Sequence, residues 1–451
     1  MITVNALAQA IRDAGGRIYY VGGCVRDALM GRELKDIDVE VHGINADELH
    51  EMLKNFGTPL CYGRSFGVFS LSGTGVDIAL SRKERAIGKG HRDFEIEADP
   101  MLGTKEAARR RDFTINALMQ DVLNGEIIDE FGGLEDLNAG IVRHIDKNHF
   151  AEDPLRVLRA ARFAAVLGFK VDEETVGLCK GIDIKELSRE RVEEETRKAL
   201  LNSQKPSVYF ETLREMNQLD YWFKELKDTI GVEQNPFYHP EGDVWVHTME
   251  VVDRAAEFRD DSGNPYAFML LALCHDLGKP ATFEVIDGAI HFYGHETEGL
   301  PFVGEFLDRI VSEKAVKSYV KNMVPLHMKP NVISVSKPSL KSTNKMYDQA
   351  VMPKDLIYFA MSDEPVMSGM EVFHGDSDFL FERFDEYTKT MAKPHVTGED
   401  LIEAGFEPGR HFSEALEYAH KLRLAGVDKS SALKQTISYI NNIIRKDRNR
   451  R

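Results

Sequence analysis

The 451-residue chain has little that would place it in an oxidising compartment or in a membrane. Its four cysteines, Cys24, Cys61, Cys179 and Cys274, are scattered and flanked by apolar residues, which points to small buried side chains and away from disulfides or a cysteine-based zinc site. Hydrophobic residues make up 43% of the chain. Charge interrupts them everywhere, and no run approaches the roughly 18–20 apolar residues of a membrane span. The opening stretch MITVNALAQAIRDAGG reads as an amphipathic helix and not as a leader. A cytoplasmic protein with no membrane contact and no obligate protein partner is expected. Net positive charge is lacking too: 57 Lys and Arg against 74 Asp and Glu leave −17, which excludes a general nucleic-acid coat. RNA binding is still open because local patches decide it, and basic clusters occur at 81–94, 107–113, 153–163 and in the tail 445–451. Repeats and low-complexity tracts are absent, and the length implies two to four domains at roughly 100–200 residues each.

Against that background the stretch VGGCVRDALMGRELKDIDVEV (21–41) is dense in chemistry. The β-branched and aromatic run IYYV (18–21) reads as a buried strand that breaks at Gly22-Gly23 into the helix-compatible CVRDALMG. Glycines at a strand-to-helix turn let a ligand approach the backbone, and the helix N-terminus suits a phosphate. Arg26, one turn on, adds a fork-shaped, charge-assisted donor. In KDIDVEV, strand alternation puts Asp36 and Asp38 on one face and Ile37, Val39 and Val41 on the other. Two adjacent carboxylates repel unless a cation lies between them, and oxygen ligands of this kind favour Mg²⁺ shared with substrate phosphates. Either element alone is commonly just a turn or a solvated face. Together they specify metal-dependent nucleotidyl transfer.

Two further stretches add cations. RRRDFTINALMQD (109–121) puts arginines and an aspartate just before what reads as an apolar helix start, where Arg111 and Asp112 could orient a nucleotide sugar or triphosphate. AEDPLRVLRAARF (151–163) puts Asp153 and Arg156 three apart at a helix start, an acceptor beside fork donors that can read a base edge. Arg159 and Arg162 continue that face, where a polyphosphate could lie. The plainer alternative is an aspartate N-cap with a solvated arginine stripe.

GGCVRD with DID, then RRDFTINAL, then DEFGGLEDL (129–137), then EDPLRVLRAARF, in that order, resemble the motifs of the class II tRNA nucleotidyltransferase and bacterial poly(A) polymerase family. The likeness spans 18 to about 200, with a weaker echo at 396–416. It implies an α+β chain: a polymerase-β-like nucleotidyltransferase head (1–142), a helical neck that binds base and RNA (143–228), an HD-type helical domain (229–375) and a helical RNA-binding tail (376–451). It further implies that Asp36 and Asp38 hold Mg²⁺, with Asp77 of VDIALS as a third carboxylate. Gly22, Gly23 and Arg26 resemble the triphosphate contacts, Arg111 the nucleotide-closing motif, and Asp153 with Arg156 the protein template that pairs with C or A.

VHTMEVVDRAA, LLALCHDLGKP and YFAMSDEPVMSG present His247, His275-Asp276 and Asp363, groups that can converge on a metal inside a helical bundle. These runs resemble the HD phosphohydrolase superfamily and imply a divalent transition metal, with His295 and His327 available to a second ion. The expected activity is template-independent CCA addition to tRNA from CTP and ATP. A poly(A) polymerase, an A-only or CC-only enzyme, and a chain acting chiefly as an HD phosphohydrolase are the alternatives. The charged stretch 82–94, with its two glycines, is the candidate mobile segment for switching from C to A.

Overall fold

A computed structural model of the chain describes residues 4–33, 37–61, 67–72, 75–86, 94–364 and 376–448. Asp36, residues 87–93 of the expected switching segment and the last three residues of the basic tail lie outside that range, as does the side chain of Cys61. Two compact units result, one made of residues 1–203 and 208–218, the other of 204–207 and 219–451.

The first unit is built on seven strands. They are β1 (Arg17–Val21), β2 (Ile37–His42), β3 (Pro59–Cys61), β4 (Val68–Leu71) and β5 (Val76–Leu80), while β6 (Arg82–Ala86) and β7 (Phe94–Ala98) pair as a separate antiparallel ribbon. With β8 (Met119–Asp121) and β9 (Ile127–Ile128), the sheet order is β3-β4-β5-β2-β1-β8-β9. Only β2 and β5 run parallel within it. Val39, Val41, Ile78 and Leu80 are fully buried on the face covered by Leu7, Ala8 and Ile11 of the helix Val4–Asp13 and by Leu49 and Leu53 of the helix Ala46–Leu53. The period-two geometry of strands then sends Asp38, Glu40 and Asp77 to the opposite face. Since β2 lies between β1 and β5, its carboxylates sit over the middle of the sheet and not on an edge.

The IYYV strand, the Gly22-Gly23 turn and the following helix Gly23–Leu29 stand where the residue pattern puts them. The expected helix after Arg111-Asp112 does not form. The helix here is Thr104–Arg109, upstream of the pair; Thr114–Asn116 makes one 3₁₀ turn, and Met119–Asp121 is strand β8 against β1. Asp112 closes that turn, accepting the Phe113 N–H at 2.9 Å and the Asn116 amide at 3.0 Å, and β1 supplies the ladder that a helix would have to forgo. DEFGGLEDL has a structural job of its own. The Asp129 carboxylate accepts the N–H groups of Phe131, Gly133 and Leu134 at 3.3, 2.8 and 2.9 Å, capping the helix Gly133–Ala139. The helix Leu155–Leu167 follows, packed on the helix Arg189–Asn202.

The second unit is helical. Every residue from Tyr266 to Cys274 of the helix Pro265–Cys274 is buried, as its uninterrupted apolar sequence requires of a helix with no polar face. Val244–Phe258, Lys314–Met323 and Asp355–Asp363 pack around it. Arg410–Leu424 and Lys429–Arg448 close a small core through Leu401, Ala415, Ala419 and Ile440. The chain is α+β. Cys24, Cys179 and Cys274 are free and buried. Among the described residues no helix is long and apolar enough to cross a membrane.

Asp129→Ala leaves two helix-start N–H groups and that of Phe131 without their acceptor and is expected to lower stability by about 1–2 kcal/mol, read as a lower urea midpoint at unchanged slope.

Candidate functional site

In the first unit the exposed face of β2 and β5 floors a cleft of about 840 Å³. Its lining carries eight Arg and Lys against five Asp and Glu, a positive excess of three on a chain of net charge −17. Asp38 lies directly across from Asp77 in the parallel β2–β5 register. Neighbouring strands are about 4.8 Å apart, so the two exposed carboxylates stand side by side on one face, within the span of a single cation. Asp77 thus joins Asp38 at the floor.

The Gly22-Gly23 turn forms one rim. Gly22 adopts φ +71°, and a Cβ there would come within 2.9 Å of Arg111 Nη1, so the missing side chain leaves room for that guanidinium. Arg26 donates to Asn116 Oδ1 at 2.6 Å and to Asp27 at 2.9 Å. Three guanidiniums gather on the buried Phe163 ring: Arg162 at 4.0 Å, Arg26 at 5.1 Å and Arg159 at 5.4 Å from its centre. Burial pushes Arg26 and Arg111 below the ordinary guanidinium value in spite of their carboxylate neighbours, so their charge is under-compensated and favours an anion in the cleft.

Each cation is held from behind. Glu40, only 1% exposed, accepts from Arg110 at 2.8 Å, Arg111 at 3.3 Å and His42 at 3.0 Å. Burial would raise its carboxyl, but the His42 hydrogen bond and the two arginines override it and hold it at about 2. Asp112 takes Arg159 at 2.6 Å and Glu195 takes Arg162. Asp112 is therefore an anchor for Arg159 as well as a wall residue. Asp153 is gripped by Arg191 at 2.9 and 3.1 Å, and Arg156 donates to the backbone carbonyls of His149 and of Arg110, the latter at 2.9 Å. Glu40, Asn116, Phe163, Arg191 and Glu195 escaped the sequence reading. The only signal for Glu40 was its place two residues after Asp38 on the same strand face.

The second unit holds a buried histidine–aspartate centre. His275-Asp276 leave the end of the central apolar helix, and His247 and Asp363 arrive from the two helices beside it. His247 Nε2 lies 3.1 Å from Asp363 Oδ1, 3.4 Å from His275 Nε2 and 3.6 Å from Asp276 Oδ2. Asp276 turns its other oxygen to His295 Nε2 at 3.3 Å, itself 3.3 Å from His327 Nε2. Donors about 2.1 Å from a shared ion would be separated by about 3.0–3.4 Å, so this set has the dimensions of a metal cage. Asp276 is buried, its Oδ2 2.7 Å from Lys279 Nζ and 3.1 Å from His275 Nε2, so its two oxygens face the two sets of histidines. His275, His295 and His327 each donate Nδ1–H to the carbonyl three residues earlier, at 2.9, 2.9 and 2.7 Å, which leaves every Nε2 aimed inward. Glu241, also missed in the sequence, accepts Nδ1–H from His247 at 2.8 Å and from His239 at 2.9 Å. Burial opposes a charge on His247, but its bonds to Asp363 and Glu241 raise it to about 9; burial beside His275 pushes His327 down to about 4. Gly278 and Gly299 make the cage possible. A Cβ on Gly278 would meet the His295 carbonyl at 2.2 Å and Gly299 Cα at 2.7 Å, so only two glycines let these backbones touch.

Comparison with known proteins finds a family match over each of the two regions that carry these centres. The family described as "Poly A polymerase head domain" matches residues 18–143, "Probable RNA and SrmB- binding site of polymerase A" matches 168–230, and "HD domain" matches 244–363. The "Multifunctional CCA protein" of Actinobacillus pleuropneumoniae serotype 5b (strain L20) is 36% identical over 400 residues, covering 87% of this chain and 94% of that protein. The chain belongs to the multifunctional CCA protein family. Its counterpart in Pasteurella multocida (strain Pm70) is 35% identical over 404 residues, covering 87% and 92%. Among solved structures, the CCA-adding enzyme of Bacillus stearothermophilus in complex with CTP superposes with a TM-score of 0.68 at 19% identity, over 98% of each chain. The Thermotoga maritima CCA-adding enzyme complexed with tRNA gives 0.63 at 22% identity, over 97% and 94%. These structural likenesses establish the fold. The resemblance carried by GGCVRD, DID, RRDFTINAL and the HD runs is thereby borne out, and both families depend on divalent metals.

Glu40 gives a pH signature. Its folded pKa is depressed from 4.5 to about 2, so its stabilisation is complete above the unfolded value and is lost as pH falls through about 2. Glu40→Gln should therefore cost on the order of 3 kcal/mol at neutral pH, with the gap from the parent narrowing by more than half at about pH 3 in urea titrations.

Proposed function

We propose that the chain adds C, C and A to the 3′ end of tRNA, taking CTP and ATP in turn without a nucleic-acid template. The observation that carries the reading is the pairing of Asp38 with Asp77 on the floor of a positively lined cleft beside the Gly22-Gly23 turn. The curated relatives bear the name multifunctional CCA protein, and solved neighbours are titled as CCA-adding enzymes with CTP, ATP or tRNA.

In this reading the triphosphate lies against the Gly22-Gly23 backbone and Arg26, Arg111, Arg159 and Arg162, whose carboxylate anchors fix them before it arrives. Asp153 and Arg156 face the base. Asp38 and Asp77, with Asp36 as the family resemblance implies, would hold Mg²⁺, which would supply a lowered pKa to the attacking RNA 3′-hydroxyl and charge neutralisation to the departing pyrophosphate. The protein supplies position and charge, and the hydroxyl attacks the α-phosphate in line with the leaving group. His247, His275, Asp276 and Asp363, with His295 and His327, would hold a divalent transition metal, which would supply Lewis-acid chemistry for a second activity, phosphoester hydrolysis. In this reading the enzyme, acting on tRNA, works in the cytoplasm.

Asp38→Ala or Asp77→Ala should reduce incorporation by at least about a thousandfold for Asp38 while tRNA binding stays near parental. On transcripts ending at the discriminator base, sequenced 3′ ends should stop at CCA. Long A tails would instead identify a poly(A) polymerase, and A added only to ends already carrying CC a dedicated A-adding enzyme.

His275→Ala combined with Asp276→Ala should remove metal-stimulated phosphoester hydrolysis and bound transition metal, counted by elemental analysis, and leave CCA addition intact. Loss of both activities would mean that the second centre serves the fold.

A further inference from the structure

We propose that Arg191, which is not part of the cleft wall, is a positioning residue for base selection and acts through Asp153; this rests on the reading of Asp153 and Arg156 as the base-facing pair. Aspartate and arginine three residues apart at a helix start ordinarily pair with each other. Here they do not. Arg191, in the first turn of the neighbouring helix, donates Nη2 to both Asp153 oxygens at 2.9 and 3.1 Å, and the Leu155 N–H adds a third bond at 3.1 Å. Arg156 is drawn the other way, to the carbonyls of His149 and Arg110. Asp153 and Arg156 both line the cleft. Two groups that would neutralise one another are thus kept apart by separate tethers, and each keeps hydrogen-bonding capacity for a ligand between them.

The chemistry of the four bases explains what this achieves. Cytosine presents an amino donor at N4 and adenine one at N6, whereas uracil and guanine present carbonyl acceptors, O4 and O6, at the matching places. An ionised carboxylate only accepts, so a carboxylate held opposite the N4/N6 position takes C and A and is repelled there by O4 of U and O6 of G. The terminal torsion of aspartate is soft, and nothing in the side chain itself sets where its lone pairs point. Arg191 sets it. The side chains of Arg191 and Asp153 are 15% and 23% exposed, dry enough for the pair to hold its geometry better than a surface ion pair does. Without Arg191, Asp153 is free to turn onto Arg156, and both lose their hold on the base. A role confined to joining the two helices would change stability alone, since the helices are packed together and Val157, Leu158 and Val192 are fully buried without it.

The test uses the full-length chain with Arg191→Met, Arg191→Lys, Asp153→Ala and the double variant Arg191→Met with Asp153→Ala. Single-nucleotide incorporation of CTP, ATP, UTP and GTP is measured on transcripts ending at the discriminator base or at CC, beside thermal melts. Arg191→Met should lower the preference for C and A over U and G by about tenfold or more, mainly through KM for CTP and ATP. Arg191→Lys should recover part of it, and Arg191→Met should add little once Asp153 is alanine. Parental selectivity in Arg191→Met, or full additivity in the double variant, overturns the proposal. Should the methionine variant fail to fold, unchanged selectivity in Arg191→Lys overturns it equally. A parent enzyme that incorporates neither C nor A would instead bring down the reading of the site itself, and the proposal with it.

Discussion

Glu40 is a buried anion one strand repeat beyond Asp38, and the order of the first site depends on its contact with Arg110 and Arg111. A carboxylate taken out of water survives only when cations complete it, and those cations are in turn fixed by it. Arg111 is thereby set against Gly22, where a side chain would collide with it, and the carbonyl of Arg110 receives Arg156. One ion cluster so connects the glycine turn, strand β2 and the start of the helix Leu155–Leu167. The same device recurs along the cleft, with Asp112 behind Arg159, Glu195 behind Arg162 and Arg191 behind Asp153. Cations pre-arranged in this way need not reorganise when a triphosphate arrives, which is where electrostatic catalysis gains most.

The histidine–aspartate centre reaches preorganisation by another route. Its imidazoles are tied to backbone carbonyls within their own helix turns, and His247 to Glu241. The ring orientation is decided locally, while the meeting of the rings depends on helix packing and on the glycine contact at Gly278 and Gly299. The first centre is a half-open cleft of opposed charges suited to a large polyanion. The second is a closed set of donors suited to small ions.

Much of this was legible in residue order. Asp38 against Val39 and Val41 followed from strand alternation, the glycine turn from its flanking runs, and His275-Asp276 from a dipeptide after a wholly apolar helix. The expected helix after Arg111-Asp112 was not, because the pattern FTINALM suits a helix as well as a turn and strand, and the presence of β1 beside it decides between them. Nothing in the strand pattern singled out Glu40; that it is buried follows from Arg110 and Arg111, 70 and 71 positions away in sequence. Arg191 and Glu241 carried no signal at all, being single charged residues in ordinary helical or loop contexts.

The sequence by itself determined which residues alternate, which turns need glycine, and which motifs succeed one another, since these depend on neighbours within a few bonds. It determined the family and the two kinds of chemistry for the same reason, as both reside in short strings. Only the tertiary structure decided which carboxylate faces which cation: that Asp77 stands level with Asp38, that Asp153 answers to Arg191 and not to Arg156, and that Asp276 looks both ways between two sets of histidines. Charge pairing is short-ranged and strongly sensitive to burial, so it is settled by whatever the fold brings within a few ångströms, and spacing along the chain does not encode that distance.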